Sequence, residues 1–237
     1  MYVVLTVGKR EFDGDDLLVL LSGHNVLPQL MEAMVVDSSL RSLECSAAAI
    51  ADYYHAEVAA DAAFLEKKRA QLRLEGTREE DLDFFISRPV LLELFKEQRF
   101  VPLVGSAFLK LKAGFDSVLF SMLRNKNHEL TRELFFRLES GEESFDALAG
   151  RYAEGREAAS GGRLGPLELQ HLHPALARVL STAQPGVVNP PVVIDGFGVI
   201  TVLHEKRSAR LDDAMKQHLV DQLFREWVKG EVLAFFY

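Results

Sequence analysis

The sequence predicts an α+β protein in which a β-α-α-β-α-β-β module is inserted into a mainly helical domain. Three observations carry this. Apolar residues recur at three- and four-residue spacing from residue 25 to about residue 112. The period then changes, and aliphatic runs at 117–124 and 190–203 bracket shorter helical patterns. Finally, Leu211, Met215, Leu219, Leu223 and Trp227 fall at i, i+4 steps, with Ala214, Val220 and Phe224 widening the stripe. A stripe that wide must be buried, and the N-terminal helices are its nearest unsatisfied partner. Residues 1–115 with 207–237 are therefore expected to form one helical domain around a module at 116–206.

Taken in order, residues 2–7 and Gly8 read as a short strand and turn. Asn25 is expected to cap a helix carrying Val26, Leu27, Leu30, Met31 and Met34. Asp61 precedes a second helix that Gly76 ends, and Thr77 with Glu80 forms a capping-box pair opening a third. Ser87 and Pro89 then begin a fourth, with Val90, Leu91, Leu94 and Phe95. In the module, 117–124 is a strand, Asn127 and Ser144 cap two helices, and Pro174 begins a third. Asp195-Gly196, between two β-branched runs, reads as the tight turn of a hairpin. The closing VLAFFY, 232–237, is apolar enough to be expected to pack rather than hang free.

Composition narrows the function. With 27 basic and 35 acidic residues the net charge is −8, a poor match for nucleic acid or an anionic membrane. The single cysteine, Cys45, excludes an intrachain disulfide and a cysteine-based metal site. No run reaches the roughly 18 apolar residues of a membrane helix. The apolar run at the N-terminus precedes its charges, the reverse of a secretory signal, so a cytoplasmic protein without membrane insertion is expected. The run ASGGRLGPLELQHLHPAL, 159–176, holds three glycines and a His-x-His pair. A phosphate cradle needs its glycines between a strand and a helix, and these lead instead into an apparent strand. His171 and His173 lack a fixed third ligand, and His173 reads as the residue before a helix-opening proline. No metal and no cofactor is therefore expected.

The segment 144–203 resembles the parvulin-type peptidyl-prolyl isomerase domain. Its features come in the family's order: a helix ending in Tyr152, a loop at 154–160, Gly161-Gly162-Arg163-Leu164-Gly165, an apolar segment 167–172, the helix from Pro174, Pro185-Gly186, and the hairpin at 192–203. The helices on either side are similar to the chaperone part of SurA-type foldases, on layout and on LPQLMEAMVVDSSL. The combination resembles the cytosolic SurA-like parvulins of cyanobacteria. The resemblance implies unfolded or proline-containing polypeptides as clients; it implies nothing about oligomeric state.

Rotation about an Xaa-Pro bond is opposed by amide resonance, a barrier of about 18–20 kcal/mol. An apolar pocket that holds the ring, desolvates the amide and favours the twisted state is enough to catalyse it. The resemblance places Leu164, Leu172 and Leu176 at the proline pocket. It places Ser121 at a first-strand histidine, Gly155 at a loop Cys or Asp with Glu154 and Glu157 nearby, and Val199 or Ile200 at a last-strand histidine. The family's three polar groups are thus replaced. Ser121 is the candidate catalytic residue, and Leu164, Leu172, Leu176, Gly155, Glu154 and Ile200 are the candidate substrate-binding residues. Two functions follow: a prolyl isomerase acting on flexible polypeptide, or a non-catalytic chaperone that only grips it.

Overall fold

The computed structural model describes residues 5–57 and 62–236. Residues 2–4 of the expected first strand, and Asp61 as a helix start, lie outside the described residues. The chain divides into two compact units, Met1–Val104 with Lys216–Tyr237, and Gly105–Met215.

The first unit is mainly helical. It opens on a hairpin, β1 (Leu5–Val7) and β2 (Arg10–Phe12), that turns at Gly8. Asp13 and Asp16 then form a reciprocal capping box at the start of α1 (Gly14–Gly23). The periodicity does not mark β2, which is only three residues long. Helices α2 (Leu27–Leu40), α3 (Ala47–Glu57), α4 (Ala62–Leu74) and α5 (Leu82–Arg99) follow.

Three expectations about their ends are corrected. Asn25 has a left-handed backbone, φ 57°, and terminates α1; Val26 precedes α2, whose first turn carries Pro28. Thr77 and Glu80 make no capping box, because a short 3-10 turn at Glu79–Asp81 precedes α5 and arginines engage its acids: Arg73 with Glu79, Arg78 with Glu80, and Arg41 with Asp81. Ser87 and Pro89 begin no helix, for α5 runs straight through them. The proline removes one backbone donor there, and the Tyr54 hydroxyl donates to the neighbouring Ile86 carbonyl at 2.9 Å.

The unit is closed by α10 (Asp213–Phe236), whose stripe packs on α5. Trp227 lies 4.9 Å from Phe95 between ring centroids, Phe224 lies 6.0 Å from Phe100, and Lys96 Nζ reaches Asp221 Oδ1 at 3.0 Å. The packing expected of VLAFFY is corrected at Leu233 and Phe235, 62% and 70% exposed on α10, while Tyr237 lies outside the described residues.

The second unit holds α6 (Val104–Phe115) beyond its first residue, then β3 (Ser117–Asn125), α7 (His128–Glu139), α8 (Phe145–Tyr152), β4 (Arg163–Glu168), α9 (Pro174–Thr182), β5 (Val188–Ile194) and β6 (Phe197–Arg207). From β3 onward this is the β-α-α-β-α-β-β order. Asn127 accepts from Glu129 N and Leu130 N, and Ser144 accepts from Ala147 N, each capping its helix. The sheet is antiparallel in the order β4-β3-β6-β5. Asp195 and Gly196 both have positive φ, the geometry of a two-residue hairpin turn.

The sheet is covered on both faces. Phe120, Leu203, Leu176 and Leu180 fill one side beneath α9, with Leu164 and Leu172 at its margin. Leu123, Ile200, Leu134 and Leu148 fill the other beneath α7 and α8. Alternation along β3 therefore assigns the faces residue by residue. Gly165, at φ 98°, lets β4 pass close to β3, since a Cβ there would lie 2.5 Å from the Val118 carbonyl oxygen.

Gly165→Ala is expected to cost about 2 kcal/mol or more, from backbone strain plus that collision. Gly186→Ala shares a positive φ but meets nothing within 4 Å, and its loss in urea unfolding should be smaller.

Candidate functional site

A cleft of about 280 Å³ opens on the α9 face of the sheet. Met122 and Arg124 reach it from β3, and Phe197 and Val199 from β6, each pair two residues apart and so on one face. Ile194 and Asp195 close it from the hairpin turn, and His173 and Leu176 from the start of α9. Most of the lining is apolar, with polar groups confined to Arg124, His173 and Asp195. His173 Nδ1 accepts from Ala175 N at 3.2 Å and so caps α9. A nitrogen that accepts carries no proton, so the neutral ring holds its proton on Nε2, which faces Asp195 Oδ1 at 3.9 Å.

The loop after α8 is tied to the end of β3. Asn125 Nδ2 donates to the Tyr152 carbonyl, Glu154 N donates to the Arg124 carbonyl, and Lys126 N donates to Glu154 Oε1. This brings Gly155 and Glu157 beside Arg124. Glu157 is 3% exposed, and its Oε1 lies 3.1 Å from Arg124 Nε. The N–H is not directed at that oxygen, so both buried atoms lack a hydrogen-bond partner. The guanidinium also lies over the Phe197 ring, 5.3 Å from its centroid.

The structure places the expected residues unevenly. Leu176 lines the cleft and, at 7% exposure, belongs to the core beneath it. Leu164 packs on the same core, while Leu172 lines a separate groove with Ala113, Leu169 and Pro174. Glu154 is exposed and serves the loop tie; Gly155 touches the Arg124–Glu157 pair. Two placements are corrections. Ile200 is 0% exposed among Leu123, Leu134 and Leu148, and offers no surface to a ligand. Ser121 points away from the cleft and is 5% exposed. A slip of one residue along a strand exchanges its faces, so Met122 and Val199 are the cleft residues in their stead.

Ser121 has a different partner. A bulge in the β3–β6 pairing sets Leu119 opposite Glu205 and Phe120 opposite Leu203, leaving His204 as the extra residue. Its Nε2 lies 2.8 Å from Ser121 Oγ. Burial holds the His204 pKa below its ordinary value, and the charge of Arg163, opposite Ser121 on β4, lowers it further. Strand alternation gives no sign of a bulge, so this contact was invisible in the sequence. Arg124 and Phe197 were missed as well, since nothing in their spacing marks them; only the register between β3 and β6 does.

Residues 108–204 match the Rotamase family, described as the PPIC-type PPIASE domain. Among curated proteins none matches the chain. Of solved structures, a PpiC-type peptidyl-prolyl cis-trans isomerase domain is 27% identical, covering 42% of this chain and 99% of that one, with a TM-score of 0.38. The peptidylprolyl isomerase PrsA from Bacillus cereus is 18% identical, covering 96% of this chain and 86% of that one, with a TM-score of 0.52. PrsA from Bacillus anthracis is 16% identical over 87% of this chain and 94% of that one, with a TM-score of 0.44. The Bacillus cereus structure shares the fold: a four-stranded antiparallel sheet with helices, set inside a mainly helical N- and C-terminal region.

His204 should titrate below the ordinary histidine value of about 6.5, and Arg163→Gln should raise its midpoint, as read by NMR. Because the folded state binds this proton more weakly than the unfolded chain, its contribution to stability is present above about pH 6.5 and is lost as pH falls toward the folded midpoint.

Proposed function

We propose that the protein is a peptidyl-prolyl cis-trans isomerase acting on Xaa-Pro segments of unfolded or flexible polypeptides. The observation that carries this reading is the apolar cleft over Met122, Leu176 and Val199, within the segment that matches the PPIC-type domain. A proline ring is apolar and carries no N–H, so such a lining can hold it without stranding a polar group. Seated there, the adjoining amide loses water. Desolvation favours the twisted transition state, in which charge separation across the amide is smallest. No nucleophile is needed, and the cleft provides none.

A second reading has its own observation. Met122 and Val199, which line the cleft, and Gly155, beside Arg124, are all non-titrating residues. A domain lacking polar catalytic groups can grip peptide without turning it over, as a chaperone does. The helical unit also exposes Val19, Met34 and Leu74, apolar side chains to which unfolded chains adhere. A cytoplasmic setting belongs to this proposal, and fractionation of cells expressing the protein checks it.

NMR exchange or protease-coupled cleavage of Xaa-Pro peptides separates the two readings. The isomerase reading expects acceleration proportional to protein concentration; none at high concentration would sink it, and suppressed aggregation of an unfolded client would then support the chaperone. Met122→Glu places a charge in the cleft at a partly exposed position. It is expected to abolish peptide binding, seen as lost chemical-shift perturbation, with little change in the circular dichroism of the protein.

A further inference from the structure

We propose that Arg124 is a catalytic residue of the isomerisation and that Glu157 is its positioning residue, the pair standing where Gly155 leaves room for it. This rests on the isomerase reading. The first observation is steric. A Cβ built on Gly155 would lie 2.0 Å from Glu157 Oε2 and 2.5 Å from both Arg124 Nε and Nη2. The two side chains therefore fill the volume that any side chain at position 155 would need, beside the cleft. Gly155 has an ordinary extended backbone, φ −119°, so the absence of a side chain serves the space and not the turn.

The second observation is electrostatic. Glu157 is almost wholly buried, and its only charge partner among the described residues is Arg124. Burying a carboxylate is costly unless a cation is held close. Arg124 Nε lies 3.1 Å from its Oε1, while 40% of the Arg124 side chain stays exposed and its guanidinium lies over Phe197. Carboxylate and ring together fix the guanidinium from two sides, leaving its outer edge at the cleft. Nε and Oε1 lie 3.1 Å apart without a hydrogen bond between them, so it is charge that holds the two side chains together.

The chemistry asks for such a group. In the planar amide the prolyl nitrogen's lone pair is delocalised into the carbonyl and accepts no hydrogen bond. As the C–N bond twists, that lone pair returns to nitrogen. A fixed N–H donor next to the proline ring then gains a hydrogen bond that exists in the transition state and in neither planar isomer. No bond is made or broken and no proton leaves the guanidinium. Arginine suits this role because it stays charged at any working pH and holds a rigid fork of donors.

The test measures kcat and KM for a Xaa-Pro peptide by NMR exchange, with Kd from chemical-shift titration, on the full-length protein. Arg124→Gln is expected to lower kcat by about tenfold or more while Kd stays within about twofold. Glu157→Gln should lower kcat severalfold with KM unchanged, since the donor remains but is no longer fixed. Gly155→Ala keeps both side chains and pushes them apart, and should lower kcat in the same way; it also covers the case in which a charge variant fails to fold. Arg124→Lys should recover part of the loss. If the unaltered protein accelerates exchange and Arg124→Gln or Gly155→Ala does so equally, this proposal is overturned and the isomerase reading stands. If Arg124→Gln raises KM and Kd with kcat intact, Arg124 only binds, which also overturns it. If the unaltered protein binds peptide without accelerating exchange, both fall.

Discussion

The pairing of β3 with β6 is the constraint on which the second unit depends. These are its two central strands, and they run antiparallel from Ser117 opposite Arg207 to Asn125 opposite Gly198. Each supplies residues to both faces, so one ladder decides which side chains go under α9 and which under α7 and α8. Phe120 and Leu203 meet on one side, Leu123 and Ile200 on the other. The cleft is a by-product of the same register. Arg124 comes opposite Val199, and Met122 opposite Thr201, only because the bulge at His204 has already taken up one residue. The site thus has no separate scaffold; it is the outer end of the core's own alternation.

Much of this was legible from residue order. The caps Asn127 and Ser144, the helix-opening Pro174 and the Asp195-Gly196 turn act through local chemistry, and local chemistry can be read locally. The module's element order followed from them. In the helical unit the local signals at Thr77 and Ser87 mislead, because a 3-10 turn with its own ion pairs precedes α5 and the helix then runs on through Pro89. Arg73 and Arg78, beside Thr77, hold Glu79 and Glu80, and Arg41 holds Asp81 from farther along the chain. At the C-terminus an apolar composition suggested burial, yet α10 carries Leu233 and Phe235 to the surface.

The site was legible only to within one residue, which in a strand is the difference between its two faces. Aligning motifs put the polar positions at Ser121 and at Val199 or Ile200, whereas side-chain direction selects Met122 and Val199. The Arg124–Glu157 pair was beyond sequence reasoning for another reason. Its residues are 33 positions apart on a strand and a loop, and a glycine between them in space, not in spacing, is what admits them. Charge complementarity across such a distance has no periodic signature.

The feature with the widest consequence is the closure of the second unit on itself. Its first strand begins opposite the end of its last, Ser117 beside Arg207, and Asp116 Oδ1 accepts from Ala209 N at 2.9 Å. The helical unit, by contrast, joins Lys96 to Asp221 across a separation of 125 residues. During synthesis α10 emerges after the whole inserted segment, so α5 must wait for its partner. An insert that has folded meanwhile shortens the effective tether between the two helices to a few tens of residues. The entropy of closing the loop then falls by about 1 kcal/mol. Wherever the inserted unit folds before α10 is made, the order of translation and the order of assembly differ, and the two ends of the helical unit have a shorter loop to close.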